Sequence, residues 1–435
     1  MKLTFSPATA GAHRRPSLRR AAVAGALAAG VLLAGSPARG SHDADEATGA
    51  YEPHAGYVAP ARSPGRLAPA TGALMGTHSH DDDDLAPEEQ GIVQLEQALG
   101  RTMDINNRYY GDFDAFAEAG SMSWMETWDI ESGRIPLVGW GCTDSDKIRS
   151  GALDNVIRTT AQVMKAFGHE FFMRYCWEMD GRRKQDIVKG PEEFVAAWRH
   201  MWRIFQAEGA TNVIWAWTAN AAGFKDPRPY TDDQPPAPFF YPGDDYVDWI
   251  ASDGYNWGVS ERDQGDRWRH ALEIFDEFMV FARQHPKPIM IGEYGVQEQP
   301  NDPAAKPDWF RKAHQVFMDV PKTAECPWCG AYSDIAAVVY FDVDYAEHGD
   351  WRIMSSPESQ TAFREAATAA WFNQIHTIGW GPAANRPGAP PSAAPAPPPT
   401  APPGEAPPTS SSPPGASPPS PPARSDAAPR TGYWM

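Results

Sequence analysis

Continuous apolar runs alternate with helix-like segments eight times between residues 72 and 372. The runs are apolar throughout rather than alternating with polar residues, which is typical of strands buried on both faces. They predict strands at 72–77, 102–107, 135–140, 170–176, 212–217, 248–255, 288–293 and 335–342. Helices are predicted at 87–99, 152–167, 191–207, 266–284, 303–318 and 357–372, with a weakly marked segment near 113–119 and a loop rich in proline and aspartate at 218–245. Eight strand–helix units in about 300 residues predict an α/β fold, a (β/α)8 barrel in a single domain.

Both ends of the chain differ in composition from this region. Residues 1–41 have a basic start, an apolar run at 21–34 and the small residues Ser36-Pro37-Ala38, which predict a signal peptide. The apolar run is too short for a permanent membrane span, and Arg19-Arg20 leave the general and the twin-arginine export routes both open. Residues 379–435 are rich in proline, alanine and serine and predict a disordered tail. We therefore expect a linker at 42–70, a folded domain at 71–378 and a secreted, extracellular protein.

The net charge of the chain bears on the classes of molecule that it can bind. The whole sequence carries a net charge of −18, and six positive residues lie in the predicted signal peptide, which leaves −18 − 6 = −24. An acidic surface argues against nucleic acid and anionic membranes as partners and suits a neutral polymer. We expect a monomer that acts on a polysaccharide without a cofactor.

The sequence contains four cysteines, and in an exported protein these are expected to be oxidised. Cys142 and Cys176 each fall at the end of a predicted neighbouring strand, which favours a disulfide between them. Cys326 and Cys329 favour a local loop disulfide, with a thiol catalyst or half of a zinc site as alternatives.

Two glutamates stand at the ends of predicted strands four and seven, and the carboxyl ends of barrel strands share one face. Glu178 lies between Trp177 and Met179, an apolar setting that raises a carboxyl pKa and favours a general acid. Glu293 can be held ionised by hydrogen bonds from Arg174 and Tyr255. Two carboxylates with such different environments are the catalytic groups of a glycosidase.

Sugar rings stack on aromatic planes, so the same face is expected to carry aromatic residues. Strand-end positions make Trp140, Trp217 and Trp257 candidates for a glycan cleft, with core packing as the alternative. Tyr340 at the end of strand eight is a further candidate. His78 after strand one is another, although the segment 78–84 can also be read as a cation site or a solvated acidic loop.

Residues 72–375 resemble glycoside hydrolase family 26, a family of retaining β-glycanases that includes β-mannanases. The resemblance is carried, in order, by segments 135–140, 174–181, 197–200, 210–220, 248–257, 291–295 and 350–353. It implies that Glu178 is the acid/base, Glu293 the nucleophile and Tyr255 the tyrosine that positions the nucleophile. The matching segments add Trp177, Asp180 and Asn220 to the candidate substrate-binding residues.

The chain departs from the family pattern at several positions. Trp177 stands where the family has a histidine, Asp180 where asparagine is usual and Ala219 where proline is usual. The expected function is a secreted retaining β-glycanase that cuts internal bonds of a mannan-, glucan- or exopolysaccharide-like polymer. The alternatives are a non-catalytic glycan-binding protein on the same barrel, and a scaffold displayed through the proline-rich tail.

Overall fold

The computed structural model describes residues 62–81, 88–225, 234–258, 267–299, 301–345 and 349–380. All of these residues belong to one compact unit. The predicted signal peptide and nearly all of the predicted tail therefore lie outside the described residues. No helix in the described part is long and apolar enough to cross a membrane.

Eight parallel strands pair in chain order, and the first also pairs with the eighth, which closes the sheet into a barrel. The strands are β1 Leu74–Asp81, β2 Ile105–Tyr110, β3 Ile135–Trp140, β4 Phe171–Tyr175, β5 Val213–Asn220, β6 Trp249–Asn256, β7 Ile289–Val296 and β8 Ala337–Tyr345. A two-residue strand, β9 Gly349–Asp350, pairs antiparallel with the end of β8. The predicted (β/α)8 barrel is confirmed.

The helices surround this barrel. They are α1 Glu88–Leu99, α2 Ala115–Ala119, α3 Trp124–Glu131, α4 Ser145–Arg149, α5 Asp154–Phe167, α6 Gln185–Val188, α7 Pro191–Glu208, α8 Ala271–Ala282, α9 Ala305–Phe317 and α10 Pro357–Ala367. The boundaries of α7 follow from its sequence: proline fits the first helical turn, two glutamates follow it, and Gly209 ends the helix in a left-handed conformation. The sequence did not predict α3. Between β5 and β6 the described residues form only short 3-10 turns.

The side chains of the barrel fall into two apolar layers. Those that point inward near the amino ends of the strands fill the bottom of the barrel, as Leu137, Phe172 and Trp249 do. Those that point outward pack between the strands and the helices. Inward positions closer to the carboxyl ends carry polar side chains and aromatic rings instead, so the upper part of the barrel is where chemistry can take place.

The packed region extends beyond the predicted domain limits of 71 and 378. Leu67 is buried beneath the barrel, and Trp380 packs against the same apolar cluster. Arg62 donates hydrogen bonds to the carbonyl oxygens of Pro69 and Ser333. The predicted linker therefore begins to pack against the barrel well before residue 71.

Candidate active site

Glu293 lies on β7, next to a β-bulge. Ile291 pairs with Ser252 of β6 but Glu293 pairs with Asp253, so Gly292 is an extra residue in β7. A regular strand that points Met290 inward would point residue 293 outward, because side chains alternate between the two faces. The extra residue restores the inward direction of Glu293, which is a common use of bulges near active sites.

Three side chains hold the carboxylate of Glu293. Arg174 Nη2 donates to Oε1 at 2.7 Å, Tyr109 Oη donates to the same oxygen at 2.5 Å, and Tyr255 Oη donates to Oε2. Burial by itself would raise the pKa of Glu293, but the Arg174 charge and the two tyrosine hydrogen bonds outweigh burial and lower it. Glu293 is therefore held as a carboxylate in a nearly water-free position.

Arg174 is the fully buried centre of this arrangement. Besides Glu293, it contacts both carboxylate oxygens of Asp253 at 3.3 Å and donates to the Oδ1 atom of Asn107 at 3.2 Å. Burial and the nearby Glu293 charge raise the pKa of Asp253 well above its usual value, and Arg174 opposes this shift. One guanidinium group thus serves two buried acids and fixes their positions relative to each other.

Glu178 lies three residues beyond the end of β4 rather than on the strand itself. Cys176 and Glu178 both have left-handed backbones, with φ of 49° and 55°, which is unusual for residues other than glycine. The turn is held by the Cys142–Cys176 disulfide and by hydrogen bonds from Cys176 N to Trp140 O and from Glu178 N to Thr218 O. Backbone strain of this kind persists only where the surroundings fix it, and it is common at functional sites.

Glu178 has a different electrostatic environment from that of Glu293. Burial raises its pKa to about 7; Lys184 opposes the shift, and the charges of Glu293 and Asp180 add to it. Glu178 therefore keeps a proton to near neutral pH, while Glu293 remains ionised. The site holds one protonated and one ionised carboxyl group, which is the division of roles that glycoside cleavage requires.

Aromatic rings surround these acids. Tyr255, Phe341 and Trp351 form a buried cluster at the upper end of the barrel, and the partly buried Tyr109 and Trp257 pack against it. Trp177 is also partly exposed, and its ring centroid lies 4.8 Å from that of Tyr109. His78 stacks on Phe341 and contacts the Tyr109 ring edge.

Three predicted cleft residues have a different location. Trp140, Trp217 and Tyr340 are fully buried and belong to the layer between the strands and the helices. The indole nitrogens of the two tryptophans donate to backbone carbonyls there, and Tyr340 Oη donates to Trp351 O. Strand alternation turns all three outward, so none of them can stack on a sugar in the barrel mouth. On β8 the neighbouring Phe341 is the residue that points inward.

Asp180 and Asn220, two of the predicted substrate-binding residues, contact each other. Asn220 donates from its backbone nitrogen and from its side chain to Asp180 Oδ1, at 2.9 and 3.2 Å. Asp180 is completely buried, so it supports the loop after β4 instead of presenting a carboxylate to substrate. Its place is fixed tightly, because a Cβ atom on Gly223 would lie 2.0 Å from Asp180 Oδ2.

Sequence reasoning missed several residues of the site. Tyr109 was missed because the second strand was predicted to end at residue 107, whereas β2 continues to Tyr110. Asp253 lies in a segment that carries the family resemblance but was given no role, and its position on the predicted sixth strand was the available signal. Lys184 follows in a short turn and gives no signal in the sequence.

Both predicted disulfides, Cys142–Cys176 and Cys326–Cys329, are present in the structure. Among the described residues, no group of three or more histidine, cysteine, aspartate or glutamate side chains is placed to hold a metal ion. Residues 82–84 of the predicted acidic segment lie outside the described residues.

A closed (β/α)8 barrel with one glutamate just after strand four and a dissimilar one on strand seven defines the class of barrel glycosidase sites. Residues 144–312 match the model of glycosyl hydrolase family 26. This match lies within the region that resembles the same family by its sequence motifs.

The chain is 29% identical over 320 residues to Endoglucanase H of Acetivibrio thermocellus, a match that covers 71% of this chain and 31% of that protein. The chain thus spans about a third of the length of this relative. Among solved structures, a family 26 β-mannanase of Bacteroides ovatus has a TM-score of 0.48 at 15% identity, covering 69% of this chain and 90% of the other. An endo-β-mannanase/endo-β-glucanase of Prevotella bryantii has a TM-score of 0.45 at 17% identity, covering 70% and 45%.

Proposed function

We propose that the protein is a secreted, retaining β-glycanase that hydrolyses internal bonds of a β-linked polysaccharide. One observation carries the proposal: burial raises the pKa of Glu178 to about 7, whereas Arg174, Tyr109 and Tyr255 overcome burial and lower the pKa of Glu293. A non-catalytic binding protein has no need of two carboxyl groups prepared in opposite ways.

The reaction proceeds in two displacements. In the first, a carboxylate oxygen of Glu293 attacks the anomeric carbon, while Glu178 transfers its proton to the departing glycosidic oxygen. The bond between that carbon and the leaving sugar breaks, and a glycosyl ester of Glu293 forms. In the second, Glu178 removes a proton from water, the resulting hydroxide attacks the same carbon, and Glu293 leaves as a carboxylate. Two inversions give retention of configuration.

The electrostatics of the site support the change of role at Glu178. The negative charge of Glu293 helps to raise the pKa of Glu178 in the free protein. That charge is absent while Glu293 is esterified, so the pKa of Glu178 falls and the residue becomes a base. Arg174, Tyr109 and Tyr255 also favour the departure of Glu293, because they stabilise its carboxylate.

The residues that line the site and the names of the relatives support a proposal for the substrate. Partly exposed Trp177 and Trp257 offer aromatic planes for sugar stacking. Relatives named as endoglucanase and β-mannanase indicate a gluco- or manno-configured β-glycan. Secretion is supported by the signal-like residues 1–41 together with two disulfides, since disulfides persist in oxidising compartments. We expect the protein to act as a monomer and without a cofactor.

The test is product analysis with mannan, mixed-linkage glucan and β-1,3-xylan. Wild-type protein is expected to lower the viscosity of one polymer faster than it releases reducing ends, and the first product is expected to keep the β configuration by NMR. Glu178→Gln and Glu293→Gln should each abolish turnover. Glu170→Gln is the matched control. Glu170 directly precedes β4, at the opposite end of that strand from Glu178, and its side chain is exposed, so this variant should keep full activity. Binding to a polymer without product release would favour the non-catalytic alternative.

A further inference from the structure

Lys184 lies in the turn Arg182–Lys184 after the β4 loop, and its side chain folds back towards the acid/base. Its Nζ atom donates to the carbonyl oxygen of Trp177 and lies 4.3 Å from the centroid of the Trp177 ring. The ammonium group therefore holds both the backbone and the ring of the residue directly before Glu178.

The charges around this ammonium group are mostly negative. Glu178, Asp253, Glu293 and Asp180 all act on Lys184. They come from the loop after β4, from β6 and from β7, so acids face Lys184 from several elements of the barrel. Lys184 thus interacts electrostatically with the carboxyl groups of the active site.

Glu178 is faced by two cations, Lys184 and Arg174, and by three acids, Glu293, Asp180 and Asp253. The Tyr255 hydroxyl also interacts with it. The Nη atoms of Arg174 already donate to Asp253, Glu293, Asn107 and the Tyr109 hydroxyl. Of the two cations that act on Glu178 in the described part of the chain, Lys184 is therefore the one whose ammonium group donates to no carboxylate and can balance a negative charge on Glu178.

We propose that Lys184 is a positioning residue that holds Trp177 in place and allows Glu178 to ionise, so that Glu178 can serve as the base of the second displacement. The role in turnover rests on the proposed function; the effect on Glu178 does not. The family histidine before the acid/base is replaced by Trp177 in this chain, and the lysine supplies a cation beside that tryptophan.

Three variants distinguish the effect of the Lys184 charge from the effects of its aliphatic chain and of a nearby surface charge. Lys184→Met keeps most of the aliphatic chain over the Trp177 ring and removes the charge and the donor. Lys184→Arg keeps the charge. Arg182→Met removes a positive charge from an exposed position in the same turn and is the matched control.

The decisive measurement is an NMR titration of the Glu178 side-chain carboxyl carbon in the full-length protein, assigned by comparison with Glu178→Gln. Lys184→Met should raise the Glu178 pKa by about one unit, the lower end of the effect of a close opposite charge. Lys184→Arg and Arg182→Met should stay near wild type. An unchanged or lowered pKa in Lys184→Met would overturn the proposal, and Lys184→Gln decides the question in the same way should the methionine variant fail to fold.

Kinetics provide an independent readout. In Lys184→Met the alkaline limb of the kcat/KM profile should move to higher pH, and hydrolysis of the glycosyl–enzyme should slow so that a burst of first product appears. A variant that had merely lost structure would lose activity at all pH values without moving the limb. If wild-type protein cleaves none of the glycans tested, the proposed function fails, and the NMR titration still decides the role of Lys184.

Discussion

Replacing Glu178 by glutamine should stabilise the protein at alkaline pH while abolishing its activity. Burial raises the pKa of Glu178 from a usual value of 4.5 to about 7. The folded protein therefore holds this proton more tightly than the unfolded chain does, and ionising the residue destabilises the fold. One pKa unit corresponds to about 1.4 kcal/mol, so the full effect is about 3 kcal/mol.

The sign and the pH window follow from linkage. Below the unfolded pKa both states are protonated and Glu178 contributes nothing to the pH dependence. Between the unfolded pKa of 4.5 and the folded pKa of about 7, the unfolded chain ionises first and the stability contributed by this residue falls. Above that window the loss is complete. Glutamine cannot ionise, so Glu178→Gln does not undergo this loss.

The assay is urea unfolding of wild type and Glu178→Gln from about pH 5 to about pH 8.5, followed by tryptophan fluorescence. The difference in the free energy of unfolding should grow by about 3 kcal/mol across this range. Glu170→Gln is the control, because the Glu170 side chain is 41% exposed and should show no such growth. A difference that stays constant with pH would refute the raised pKa and, with it, the acid/base assignment.

Two further substitutions test the surroundings of Glu293. Tyr255→Phe removes a hydrogen bond to the carboxylate of Glu293, which is worth about 1.5–3 kcal/mol, so kcat/KM should fall about 10- to 100-fold. The acid limb of the kcat/KM profile should move to higher pH, because the Glu293 pKa rises without this hydrogen bond. An acid limb that stays in place would contradict this role of Tyr255. Gly292→Ala places a Cβ atom 2.6 Å from Asp253 Oδ1 in a buried site, so unfolding measurements should show a loss of about 1–3 kcal/mol with a larger loss of activity. Gly111→Ala is the control and should be near neutral, because no atom beyond its chain neighbours lies within 4 Å of the added Cβ.

The sequence allowed the fold and the centre of the site to be predicted, for a physical reason. Strands buried on both faces give unbroken apolar runs, and those runs locate the barrel strands without any knowledge of contacts. A charged residue or a tyrosine at the end of such a run is expected to place its polar group at the barrel mouth. Arg174, Tyr255 and Glu293 all follow this rule, and the structure brings them together.

The same reasoning could not show whether a given strand side chain points into the barrel or outward to the helices. An unbroken apolar run has no alternation that marks its inner face, so Trp140, Trp217 and Tyr340 could not be distinguished from inward neighbours such as Phe341. Contacts across turns were equally hidden. Lys184 reaches Trp177 only because the chain doubles back after β4.

Both glutamates reach the site through irregular backbone, which explains why regular strand geometry alone fails to place them. Glu178 depends on left-handed residues fixed by the Cys142–Cys176 disulfide, and Glu293 depends on the extra residue Gly292. A side chain at 292 would press on the acid that binds Arg174, so the bulge needs glycine for packing reasons. Such local departures are expected where chemistry rather than stability selects the conformation. The raised pKa of Glu178 follows the same logic, since burying an acid that ionises in the unfolded chain is expected to make the site less stable near neutral pH than one with glutamine in its place.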